Sequence, residues 1–210
     1  PLSGKTPVVY YPNSVDPSFT QLVKSEECPL PELKNKFIIL FAGNIGRAQA
    51  VNVIVEAATL LRETTEIHFV ILGDGSKRDW MQTEIKNRNL KNIILPGKFP
   101  IETMPSFMQQ ASALLVTLTD EKNFSKTVPS KVQAYLASGR PIIAALNGEG
   151  ARVILKSGAG FAVKAEDAEG LVKACLAIYN TNEKDRKEMG DKGYAYYNEN
   201  YDHDQLMSEL

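Results

Sequence analysis

The sequence predicts an α/β domain built on a doubly wound, Rossmann-like parallel sheet of about six strands. Three observations carry that expectation. From Lys36 onward, short and nearly continuous apolar runs alternate with longer amphipathic segments; such runs imply burial on both faces, the mark of a parallel sheet covered by helices. Glycine-bearing loops follow most of the runs, where α/β sheets bind ligands beyond the carboxyl ends of their strands. A length of 210 residues, with 43% hydrophobic and 23% charged residues, suits one sizeable core with extensions.

Residues 1–35 are rich in Pro and Ser, weakly periodic, and read as a linker and domain edge. The domain proper is expected over residues 36–182. FIILFAG (37–43) is its first strand, and AQAVNVIVEAATLLR (48–62) its first helix, with Val51, Ile54, Val55, Ala58 and Leu61 on one face. IHFVILG (67–73), NIILPG (92–97), SALLVTLT (112–119), PIIAALN (141–147) and AGFAV (159–163) supply the remaining strands. In PSKVQAYLASGRPI (129–142), a short helix meets a glycine stop and then a buried strand. Its Val132, Tyr135 and Leu136 face the core, while Ser130, Ala134 and Ser138 form a small, partly polar opposite face. Leu171, Ala174, Cys175 and Ile178 make a further helical stripe. Residues 183–210 read as polar C-terminal helices bearing Tyr194, Tyr196, Tyr197 and Tyr201. Two readings stay open for them: an ordinary core-covering helix, or aromatics packed on something outside this chain.

The formal charge of −1, with both signs mixed, gives no long-range field suited to a polyanion, so nucleic acid is not an expected partner. No apolar run approaches a membrane span, and the first residues lack a basic-then-apolar leader. The stretch is therefore expected to be neither secreted nor anchored through itself. Cys28 and Cys175 show no metal or redox spacing and fit a reducing cytosol. His68 and His203 have no partners at metal spacing, and no Ser/His/Asp set can be assembled.

Five loops should gather at the sheet's carboxyl edge: GNIGR (43–47), GDGSK (73–77), GKFP (97–100), TDEKNFSKTVPSK (119–131) and NGEG (147–150). Backbone amides and Arg47 in GNIGR would suit a diphosphate. The glycines there are not spaced G-x-G-x-x-G, and Asp74 sits in a GDG turn that explains it locally, so a dehydrogenase is disfavoured. Lys126 and Lys131 flank Pro129, a good first-turn residue. They are either an anion site at a helix start facing a cleft or ordinary solvated lysines.

In this order, the strand–GNIGR–helix unit, ILGDGS, the loop into PSKVQAYLASGRPII, and NGEG followed by SGAGFAV resemble the C-terminal, nucleotide-sugar-binding domain of GT-B glycosyltransferases of family 4. YYPNSVDPSF (10–19) is similar to the PN-x-x-D-x-x-F signature that ends the N-terminal domain of that family. The resemblance covers essentially the whole chain. Closest in character are bacterial transferases of surface polysaccharide and O-antigen, such as UDP-linked L-fucosamine transferases. DHD (202–204) matches the D-x-D of metal-dependent sugar transferases, but acids at a helix start account for it.

The resemblance implies half of a cytoplasmic enzyme. A missing N-terminal domain would carry the acceptor site, the catalytic side of the cleft and any contact with the inner membrane, leaving this fragment alone inactive. It implies retaining transfer without metal or cofactor, with a UDP-sugar as the substrate. By the same resemblance, Gly46, Arg47, Lys126 and Lys131 would meet the donor diphosphate. Gly73, Asp74, Gly97, Lys98, Phe99, Ser130 and Gln133 would bind the nucleotide, and Glu121, Ser125, Thr127 and Glu149 the donor sugar.

Two departures matter. Asn52 stands where the family commonly has a lysine, and Lys126 and Ala134 stand where it has an E-x7-E pair whose second Glu contacts the ribose. Either Gln133, Ser130 and Lys131 take over ribose binding, or the donor pocket is altered. A UDP-sugar epimerase half and a non-catalytic domain that docks proteins at the sheet edge are the alternative readings.

Overall fold

The computed structural model of the chain describes Leu30, Leu33 and residues 35–201. Most of the expected linker, Cys28 and the DHD at 202–204 lie outside the described residues. The apolar runs form β1 (Phe37–Ala42), β2 (Ile67–Leu72), β3 (Ile93–Gly97), β4 (Ala113–Thr117), β5 (Ile142–Ala145) and β6 (Gly160–Val163). They make one sheet in the order β3-β2-β1-β4-β5-β6, and every neighbouring pair is parallel. The order reverses between β1 and β4, which creates a topological switch point.

Among the described residues, seven α-helices cover the sheet: α1 (Val51–Leu60), α2 (Arg78–Asn87), α3 (Met104–Gln110), α4 (Ser130–Ala137), α5 (Glu149–Ser157), α6 (Ala168–Asn180) and α7 (Glu183–Tyr201). Two-residue alternation distributes β1 between two cores. Phe37, Ile39 and Phe41 join α1, α2 and α6, whereas Ile38 and Leu40 join α3, α4, α5 and α7. All five residues expected on one face of the first helix are buried. Each fully buried large apolar side chain contributes about 1.5–3 kcal/mol.

The first helix starts later than its sequence pattern predicts. Arg47–Gln49 forms a 3-10 turn, and Ala50 adopts the left-handed conformation (φ 44°) before α1 begins. The end of β4 imposes this kink. Thr117 Oγ1 donates to the Gln49 carbonyl and the Thr119 amide to that of Ala48, at 3.0 Å.

At the other end of the chain, α7 lies on α4. A Cβ placed on Gly190 would stand 2.0 Å from the Gly139 carbonyl oxygen, so glycine is what lets the two backbones meet. Tyr197 and Tyr201 are buried in the adjoining core, and Tyr194 is exposed. For the first two tyrosines, α7 is thus a core-covering helix. Cys175 is buried in α6, and desolvation pushes its thiol up to about 12, leaving it unreactive at neutral pH.

Candidate functional site

A cleft of about 540 Å³ opens at the carboxyl edge of β1, β2 and β3. Gly43 and Asn44 line it after β1, Gly73 and Asp74 after β2, and Lys98 and Phe99 after β3. Ile101, Met104 and Met108 close one side, and Ser130, Lys131, Ala134 and Tyr135 of α4 the other.

The first two loops are zipped together. The Gly43 amide donates to Leu72 O at 2.9 Å, the Ile45 amide to Asp74 O at 2.7 Å, and the Lys77 amide to Ile45 O at 2.9 Å. A Cβ on Gly73 (φ +129°) would stand 1.9 Å from the Gly43 carbonyl oxygen, so only glycine fits this crossing. The Gly73 amide in turn donates to Gly97 O at 2.8 Å, which makes Gly97 a buttress behind the wall. Asp74 accepts from the Gly75 amide at 2.8 Å, the local bond a GDG turn predicts. The amides of Asn44 and Gly46 have no acceptor among the described residues.

The wall from α4 is less ordinary. The Tyr135 hydroxyl accepts from the Ala42 amide at 3.0 Å, and burial raises its pKa. Lys131, half-buried as a residue, carries an Nζ that is fully shielded and unpartnered. That Nζ lies 3.5 Å from the centroid of the Phe41 ring. Desolvation holds its pKa down at about 7, far below the usual lysine range. Of the two readings of Lys131 taken from the sequence, the solvated surface lysine is the one the structure rejects. Glycine at 43 leaves room beside the buried group, since a Cβ there would stand 3.1 Å from Nζ.

The sequence pattern of the family described as "Glycosyl transferases group 1" matches residues 25–196. The chain belongs to that family. Among curated relatives, this chain is 27% identical to the probable glycosyltransferase WbjE of Pseudomonas aeruginosa over 184 residues, 85% of this chain and 45% of that protein. It is 29% identical to the putative colanic acid biosynthesis glycosyl transferase WcaI of Escherichia coli K12, over 63% of this chain and 33% of that protein. The chain therefore spans less than half the length of either.

Solved structures share its fold. TarM of S. aureus, a variant in complex with Fondaparinux, alpha-GlcNAc-glycerol and UDP, aligns with a TM-score of 0.72 at 19% identity, over 83% of this chain and 34% of that one. HepE of Anabaena, in complex with UDP and glucose, aligns at 0.71 and 14%, over 93% and 51%. The C-terminal domain of LpcC, a glycosyl transferase group 1 family protein of Francisella tularensis, aligns at 0.70 and 19%, over 90% of this chain and 100% of that one. These likenesses establish for the chain an α/β fold with a six-stranded parallel sheet, matching its GT-B glycosyltransferase neighbours.

Of the residues expected at the site, Lys131, Gly73, Asp74, Lys98, Phe99 and Ser130 line the cleft. Gly46, Arg47, Lys126, Gly97, Gln133, Glu121, Ser125, Thr127 and Glu149 are not brought into its wall. Gln133 turns inward instead and is 2% exposed, with its Oε1 unpaired. Glu149 is tied to Arg152, whose hydrogen bond holds the carboxyl below its usual range. The NGEG loop packs on the loop after β4 rather than on the cleft: a Cβ on Gly148 would stand 2.0 Å from Ser125 O. Arg47, Lys126, Glu121 and Thr127 are exposed. Ile101, Met104 and Met108, which show only an apolar pattern in the sequence, also join the wall, as does Tyr135, expected solely in the core.

Proposed function

We propose that this chain is the donor-binding half of a family 4 glycosyltransferase, holding a UDP-sugar for transfer, with retention of configuration, to an acceptor in surface-glycan synthesis. The observation that carries this reading is the convergence of three strand-end loops and α4 on one cleft whose wall includes an unpartnered lysine ammonium. The relatives' printed names support the reaction class, and the UDP in neighbouring structures supports the choice of nucleotide. The full coverage of the LpcC C-terminal domain supports placement as the C-terminal half. Acceptor binding and the remaining catalytic groups then belong to an N-terminal domain, with the whole enzyme in the cytoplasm and any membrane contact made by that domain.

In this reading the apolar wall of Phe99, Ile101 and Met104 faces the base, and the diphosphate lies toward Gly43 and α4. Departure of the nucleotide builds negative charge on the diphosphate. Lys131, the free amides of the loop after β1 and the exposed Arg47 at that turn would stabilise the charge as it forms, in place of a metal. The epimerase reading gains no support, since the cleft wall holds a single carboxylate, Asp74, and no histidine.

Calorimetric titration of the chain with UDP, with ADP and NAD as controls, tests the reading. A half-site without its partner domain should bind on the order of tens of micromolar to millimolar. Equal binding of all three nucleotides would remove the basis for a UDP donor. In the complete enzyme, Arg47→Ala and Lys131→Ala are each expected to lower turnover by more than about tenfold, measured as initial rates.

A further inference from the structure

Lys131 presents a charge that its own fold leaves unsatisfied. α4 packs on the sheet face opposite to the one Phe41 joins, yet Nζ reaches the Phe41 ring. The side chain therefore spans the carboxyl edge of the sheet beside the β1/β4 reversal. Burying an ammonium with no counter-ion is costly, so a lysine held there answers to something outside the fold.

The groups around it define what that is. From the loop after β2 comes Asp74, exposed and already engaged by the Gly75 amide. The loop after β3 adds a like charge, Lys98, while Met104 and Met108 of α3 bring none. On α4 itself, Ser130 and Ala134 are uncharged, and Tyr135 is bonded to the Ala42 amide and held neutral by burial. Arg47 and Lys126 in the flanking loops are exposed and off the wall. One committed carboxylate against two amino groups able to carry positive charge leaves the cleft short of negative charge. Beside Gly43, the Asn44 and Gly46 amides still lack acceptors among the described residues.

We infer that Lys131 receives the phosphate of the bound nucleotide over Gly43, and that this capture is proton-linked: the free amine takes up one solvent proton as the anion arrives. The inference rests on the donor reading above and adds to it how the site selects a charged ligand. No covalent bond changes, and the product is an ammonium–phosphate ion pair. Desolvation places the empty site's titration near neutrality, and an adjacent phosphate moves it upward. Affinity for an anionic ligand is then greatest below about pH 7 and declines above it.

The test uses UDP-glucose, whose phosphodiester groups do not titrate near neutrality, together with uridine and sulfate. Each is titrated calorimetrically in two buffers of different ionisation enthalpy, at about pH 6.5 and about pH 8.5. UDP-glucose is expected to bind with proton uptake and to lose roughly tenfold in affinity at the higher pH, whereas uridine shows neither effect. Lys131→Met should weaken UDP-glucose at the lower pH and flatten the slope. Lys131→Arg, charged throughout, should restore binding without the slope. UDP-glucose binding with no proton uptake, or with an unchanged slope in Lys131→Met, overturns the inference. Sulfate bound with proton uptake while UDP-glucose and uridine both fail would keep the Lys131 site and remove the nucleotide reading. Failure of all three ligands would remove both.

Discussion

The ammonium of Lys131 works against the stability of the domain that contains it. Cation–π attraction to Phe41 offsets part of the desolvation cost, but a pKa near 7 instead of 10.5 means that the balance is unfavourable. Lys131→Met, which keeps the chain's volume and removes the charge, should therefore raise stability by about 1–3 kcal/mol near neutral pH. The sign with pH follows from which state holds the proton. Between about pH 7 and 10.5 the unfolded chain remains protonated there while the folded chain gives the proton up, so wild-type stability rises with pH and the advantage of the variant shrinks. Denaturant midpoints of both proteins across that range check this; a variant no more stable than wild type at neutrality contradicts it. Gly73 carries the complementary constraint. With a positive φ and only 1.9 Å between a Cβ and the Gly43 oxygen, Gly73→Ala must push the first two loops apart. The expected result is loss of UDP affinity by more than about tenfold with a stability loss of about 1–3 kcal/mol, read by titration and melting of the same sample.

Among the elements, the strands were legible because a parallel sheet buried on both faces writes a continuous apolar run, and all six such runs became strands. The left-handed Ala50 was not legible, since it is set by hydrogen bonds from β4 some 70 residues away, as the pair Thr117 and Gln49 illustrates with a separation of 68. Nor was the wall from α3: a seven-residue helix after Pro100 has no titratable group to mark it as part of a site, and its methionines read as core. Lys131 misleads in the opposite direction. Helical periodicity puts it at the margin of the α4 core face, where a lysine usually snorkels to water; the empty space at Gly43, a contact across the sheet edge, turns it inward. Glycine also governs the docking of α7. Gly190→Ala would place a Cβ 2.0 Å from Gly139 O and lift α7 from α4, whereas at Gly193 the nearest contact is the Ala159 Cβ at 3.0 Å. The first substitution is expected to cost about 2–4 kcal/mol and to speed amide exchange over residues 190–201. The second should cost less, and equal costs would argue against backbone contact as the docking constraint.

At the scale of the whole molecule, the chain presents one cleft at the carboxyl edge of its sheet. The doubly wound order and the cleft beside its switch point are formed within residues 35–201, and the chain spans less than half the length of its curated relatives. The departures at Asn52 and Ala134 bear on that cleft differently. Asn52 is exposed on α1, away from the wall, whereas Ala134 lines it one turn along α4 from Lys131. An acid at 134 would lie one turn from the unpartnered Lys131 Nζ, and alanine supplies no counter-charge there. Binding of a nucleotide donor in this cleft is tested most directly by following backbone amide resonances of the chain during a UDP titration. The predicted result is a saturable set of shifts confined to residues 43–47, 73–75, 97–101 and 130–135, with ADP and NAD producing weaker changes. Absence of shifts up to millimolar UDP, or shifts clustered away from these four segments, would contradict it.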